Sequence, residues 1–244
     1  MKKMKKIICL ILVLACSFAL FACGKEEELT GAQKVAQCYE SSLPTRVYTT
    51  SVQSIINDKG VAVVALEGEY ELVSGTIAGK IATVQTYEQD YLLEVADGAN
   101  ANVVPPISTK KGSLEYLEDL GRRINGGAWD PNGLNFGPTA GSIAINLDDS
   151  LIKDANYTEG EGKNTLTFTV PNANIAAVFG ANADEAALLT ASSDVEVTIT
   201  TDGALVTSIR IAYTVTEQTR YYPERRVVLE TTYEYEAQRV ELAH

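Results

Sequence analysis

Asp194-Val-Glu-Val-Thr-Ile-Thr-Thr-Asp-Gly-Ala-Leu-Val-Thr-Ser-Ile-Arg-Ile211 decides the fold class of this chain. Val195, Val197 and Ile199 alternate with Glu196, Thr198 and Thr200, a period of two that puts apolar side chains on one face of a strand. Asp202-Gly203 marks a hairpin turn, and Ile209, Ile211, Tyr213 and Val215 return on the far side. A last strand repeats the pattern, with Val227, Leu229, Tyr233, Tyr235 and Ala237 on one face and Glu230, Glu234 and Glu236 on the other. One buried and one wet face belongs to antiparallel sheet, because parallel strands read as continuous apolar runs. The class expected is α+β, with a large, curved, mostly antiparallel sheet.

Working back from there, Thr165–Val170 reads as a strand after a turn at 159–163, and Ser142–Leu147 alternates as well. Asn172–Thr190, rich in alanine and broken at Gly180, reads as one or two short helices. Leu114, Leu117, Leu120 and Ile124 fall at helical spacing before Gly126-Gly127, so the stretch from Ser113 is expected to be a helix. Ala128–Pro138, with Trp129, is irregular. Towards the N-terminus, 46–56, 61–73 and 81–95 read as strands, with turns at 57–60 and 75–79 and a loop at 96–106. Thr30-Gly-Ala-Gln33 has the capping-box pattern. Val35, Cys38, Tyr39 and Leu43 then recur at helical spacing until Pro44, giving an amphipathic helix over 31–43.

The first 25 residues carry an address. Lys2, Lys3, Lys5 and Lys6 precede an uncharged apolar run from Ile7 to Ala22, the order of a secretory signal. Leu20-Phe-Ala-Cys23, followed by Gly24, resembles the lipobox of bacterial lipoproteins, although Phe21 is bulkier than the residue usual at that place. The resemblance implies that 1–22 is removed and that Cys23 is diacylated and becomes the new N-terminus. Val13-Leu-Ala-Cys16 is a second, less suitable lipobox, since cutting there strands the apolar 17–22 in water. An uncleaved anchor over 7–23 is the other alternative, at the lower limit for a spanning helix. Two or more acyl chains suffice for stable anchoring. The expected location is therefore the extracytoplasmic face of the cell membrane. Residues 23–29 form a polar tether of at most ~20 Å, and 30–244 a single domain.

Residues 1–22 hold four of the 20 Lys and Arg and none of the 32 acids, so the remainder carries a net charge of −16. That excludes nucleic-acid binding through clustered cations. Cys9 and Cys16 leave with the signal and Cys23 is acylated. Cys38 is then unpaired, and its default is a small buried hydrophobe.

The search for chemistry is short. The one histidine is the terminal His244, which argues against His-based triads and histidine metal sites. Ser108-Thr-Lys-Lys111 and Ser150-Leu-Ile-Lys153 both spell S-x-x-K without a K-T-G. Gly75–Lys80 lacks the phosphate-loop spacing. Asp148-Asp149 and Asp130-Pro-Asn132 offer oxygen ligands for calcium but lack the EF-hand spacing and read as turns. No cofactor, metal or catalytic group is expected.

The order of elements behind a lipobox resembles the half-barrel lipoprotein carriers of the LolA/LolB and LppX/LprG type. That resemblance implies an unclosed barrel with helices packed on its concave face, around an apolar cavity that holds acyl chains. The cavity lining would then be Ile209, Ile211, Tyr213, Val227, Leu229, Tyr233 and Tyr235, with Tyr221 and Tyr222 able to add polar tips at its mouth. The bland alternative is that helices fill this face completely, leaving a cell-envelope interaction or structural module with no ligand.

Overall fold

A computed structural model describes residues 28–56, 62–91, 108–138, 143–180, 183, 188–216 and 224–242. Gly31–His244 forms one compact unit, built on a single ten-stranded antiparallel sheet that stays open. Helix α1 (Gly31–Ser41) leads into five strands: β1 (Arg46–Ile56), β2 (Ala62–Ile77), β3 (Lys80–Tyr91), β4 (Ser108–Leu117) and β5 (Gly121–Ile124). After a long connection come β6 (Lys153–Gly160) and β7 (Lys163–Val170). Two 3-10 turns (Asn172–Asn174 and Leu188–Thr190) flank α2 (Ile175–Phe179). The last strands are β8 (Val195–Thr201), β9 (Val206–Thr216) and β10 (Glu224–Glu234).

The spatial order is β5-β4-β3-β2-β1-β10-β9-β8-β7-β6. Two five-stranded meanders therefore meet at a β1:β10 seam, and the β5–β6 connection carries the chain from one edge of the sheet to the other. The seam runs from Arg46↔Glu234 to Ile56↔Glu224 without a slip. Period-two patterning fixes such a register, since a one-residue shift would turn every apolar side chain to water.

The core lies on one face of the β7–β10 half. Leu166, Phe168 and Val170 of β7, Val195, Val197 and Ile199 of β8, and Ile209 and Tyr213 of β9 are buried there. The same buried cluster includes Ala32, Val35, Cys38 and Tyr39 of α1, the extended segment with Ile143, Ile145 and Leu147, and Ile175, Val178 and Phe179 of α2. Ile143, Ile145 and Leu147 do alternate, as the sequence indicates. Their backbone has no strand partner: Asn146 N donates instead to the Val178 carbonyl at 2.9 Å.

Three expectations need correction, and one strand was missed. The helix expected from Ser113 is the β4–β5 hairpin. Leu114 and Ile124 are cross-strand partners on one face, Leu117 pairs with Gly121, and Leu120 lies in the turn between them. The helical spacing is thus a coincidence of two strands and a turn. The turn placed at 75–79 is only Ala78-Gly79, both at positive φ (50° and 81°), as a two-residue hairpin requires. Gly75 lies inside β2, opposite Ala82. Asp202-Gly203 belongs to a four-residue loop, where Asp202 Oδ1 accepts from Ala204 N (2.9 Å) and Leu205 N (2.8 Å). Finally, β6 was not foreseen. It is an edge strand exposed almost throughout and bulged between Lys153 and Asn156, so no apolar alternation marks it. The turn at 57–60, residues 92–95 of the third strand and the loop at 96–106 lie outside the described residues.

Candidate functional site

The residues expected to line a cavity are brought together, and most of them are packed. Val227 pairs with Tyr213 and Leu229 with Ile211 across β10:β9. Ile211 continues to Val197, and Ile209 to Ile199, across β9:β8. Val227, Ile209 and Tyr213 are buried, while Ile211, Leu229 and Tyr233 pack against the core partly covered. Tyr235 lies one residue beyond β10, and its Oη donates to the Val206 carbonyl at 2.5 Å. Val206 N donates in turn to Ser42 Oγ (3.1 Å), and Ser42 Oγ to the Cys38 carbonyl (2.7 Å), which latches the end of α1 to the start of β9.

Burial raises the Tyr39 and Tyr233 phenols well above the ordinary tyrosine range, with desolvation the chief cause in both. The Tyr39 hydroxyl is enclosed beside the Ile145 backbone without a hydrogen bond of ordinary geometry. The Cys38 thiol is also raised by burial, consistent with a packing role.

The β1–β5 half is built differently. Register aligns three rows of side chains across one face: Arg46, Val73, Val84, Glu115 and Arg123; then Tyr48, Glu71, Thr86 and Ser113; then Thr50, Glu69, Glu88 and Lys111. The last two rows except Thr50, with Asn125-Gly126, border an open depression of about 580 Å³. Arg46 Nε contacts Glu71 at 2.6 Å and its Nη1 reaches Glu234 at 3.0 Å. Glu69 and Glu88 stand directly opposite each other, an arrangement of like charges that costs stability. Desolvation first, then a hydrogen bond to Glu69, pushes the Tyr48 phenol up.

On the other face Thr49, Tyr70, Tyr87 and Gly112 share a row, and Tyr70 (36 %) and Tyr87 (41 %) remain exposed. Among the described residues, the end near the β2–β3 turn is covered from both sides. There Thr83 Oγ1 donates to Asn135 Oδ1 (2.9 Å), and the backbone at Gln238 lies against Gly75.

Glu115 and Arg123 form a buried ion pair at 2.6 Å, 1 % and 14 % exposed, with the guanidinium 4.7 Å from the centre of the Trp129 ring. This cluster and the depression were not anticipated. The alternation Glu67-Gly-Glu69-Tyr-Glu71 does signal an acidic strand face. The reach of Trp129 back to Arg123 has no local signal.

The two calcium candidates act as turn residues. Asp148 Oδ1 accepts from Ser150 N and Oγ (2.8 and 2.6 Å), which holds its carboxyl below the usual range. Asp130 Oδ1 accepts from Asn132 N at 3.0 Å. Among the described residues no three His, Cys, Asp or Glu side chains are grouped to hold a metal, and no helix is long and apolar enough to cross a membrane. Cys23, Tyr221, Tyr222 and His244 lie outside the described residues. No protein-family model and no curated protein matches the chain.

Proposed function

We propose that this chain is a non-enzymatic lipoprotein anchored through acylated Cys23 on the extracytoplasmic face of the cell membrane, and that its domain is an interaction module. The anchor rests on the order of charge, apolar run and Leu20-Phe-Ala-Cys23 in the sequence. The interaction reading rests on one contrast: the apolar side chains of β7–β10 are buried in one cluster, whereas the β2–β4 region keeps Tyr70 and Tyr87 exposed and carries an open acidic depression. Exposed sheet surface of this kind is surface that a partner can cover.

A second reading takes the β6–β10 half as the trough of a half-barrel, with α1 and α2 on its concave face and an acyl chain held between. One observation favours it: the enclosed Tyr39 hydroxyl would gain an acceptor from a ligand head group, and leaving such a donor unpaired costs about 1–3 kcal/mol.

Extraction of the purified 29–244 domain, followed by lipid mass spectrometry, separates the two. Absence of stoichiometric lipid is the outcome expected for the interaction module, and a bound acyl lipid would replace it with the carrier. For the anchor, Cys23→Ser is expected to abolish metabolic labelling by palmitate. Unchanged labelling would remove Cys23 from that role.

A further inference from the structure

We propose that Asn125 is a site of spontaneous intramolecular modification, in which the Gly126 backbone nitrogen closes onto the Asn125 side chain. The chain has two Asn-Gly pairs, Asn125-Gly126 and Asn132-Gly133. Glycine favours this ring closure because it lacks a Cβ to obstruct the approach. Both pairs lie in hydrogen-bonded turns, closed by Gly127 N to the Ile124 carbonyl (2.9 Å) and by Gly133 N to the Asp130 carbonyl (3.0 Å), so the attacking nitrogen is itself the donor only in the second.

At Asn125, the Ser113 N–H donates to Oδ1 at 2.7 Å. A backbone donor aimed at a carbonyl oxygen stabilises the negative charge that develops there when a nucleophile adds. Asn125 is exposed. Gly126 N–H makes no hydrogen bond among the described residues, and nothing crowds its Cα.

At the second pair the nucleophile is tied down. Gly133 N donates to the Asp130 carbonyl at 3.0 Å. A Cβ built on Gly133 would lie 2.3 Å from the Arg122 Cβ, so that backbone has no room to rotate.

The chemistry needs only solvent. Base removes the Gly126 amide proton, the nitrogen adds to Asn125 Cγ, and a proton passes to Nδ2. The Cγ–Nδ2 bond breaks, ammonia leaves and a succinimide remains. Water then opens the ring at one carbonyl to leave aspartate, or at the other to leave an isoaspartyl link. Nothing is oxidised or reduced. Aspartate keeps an acceptor for Ser113 N and adds a negative charge to the rim of the acidic depression. The isoaspartyl form inserts a carbon into the backbone beside the Asn125 N to Ser113 carbonyl bond of 2.9 Å.

The test is peptide mapping by mass spectrometry of the folded full chain, held at mildly alkaline pH and sampled over days. The Asn125 peptide is expected to gain about 1 Da on the order of tenfold faster than the Asn132 peptide, because its carbonyl has a backbone donor and the Gly133 nitrogen is held by the Asp130 carbonyl. In denaturant the two rates should converge, since both pairs are then plain Asn-Gly. Equal rates in the folded chain, a faster Asn132, or a tenfold ratio that persists in denaturant would each overturn the assignment.

Discussion

Glu115 loses nearly all its water although it stands on the thinly covered half of the sheet, and Arg123, stacked on Trp129, is its ion-pair partner. Removing one member of a buried pair leaves an uncompensated charge, so Arg123→Ala should cost about 3–5 kcal/mol. Replacing both partners, as Glu115→Leu with Arg123→Met, should cost far less. Urea midpoints of the two variants make the comparison. The buried phenols set a pH limit. Tyr39 and Tyr233 have pKa values raised by desolvation in the folded state, so the folded chain holds their protons more tightly than the unfolded one. Their contribution is complete below the unfolded value of about 10 and falls as pH rises beyond it. Stability measured by denaturant titration should therefore drop above about pH 10, and less steeply in Tyr39→Phe.

Hairpin geometry dominates at the next scale. Gly121 sits at φ 81°, and a Cβ there would lie 1.9 Å from the Asp130 carbonyl oxygen. Gly121→Ala thus combines left-handed backbone strain with a collision against main chain, and should cost at least about 2 kcal/mol. Gly79 has the same φ with nothing nearby, so Gly79→Ala should cost about 1 kcal/mol. Equal losses in chemical denaturation would contradict this account. The elements legible in the sequence were those with one buried face. Helix α1, β7 and β8 were anticipated closely because their burial follows the period that the sequence shows, and β1 because it is rich in Thr, Val, Ser and Tyr. β4, β5 and β6 were not, because strands with little cover carry no apolar alternation and their identity comes from neighbours. Of the candidate site, the β9 and β10 residues were legible and share the expected face. The filling of that face was not, since it depends on where 143–190 folds back.

Across the whole molecule, apolar burial is concentrated under α1, α2 and the 143–152 segment, while the β3–β5 wing relies on backbone pairing and polar contacts. Local stability follows buried apolar contact. Amides of β3–β5 should exchange with deuterium markedly faster than those of β7–β9. Uniform protection would show that the wing does not open by itself. The seam adds a constraint of another kind. Arg46 and Glu234, joined at 3.0 Å, are 188 residues apart in the chain, and β1 has no other neighbour on that side. The first meander must therefore wait, with a raw border, until nearly all of the polypeptide has been delivered. Pairing at such a distance is slow because loop closure comes before the reward. A chain stopped short of Glu224 would emerge as two unstitched flaps, each with a sticky hem for its sisters.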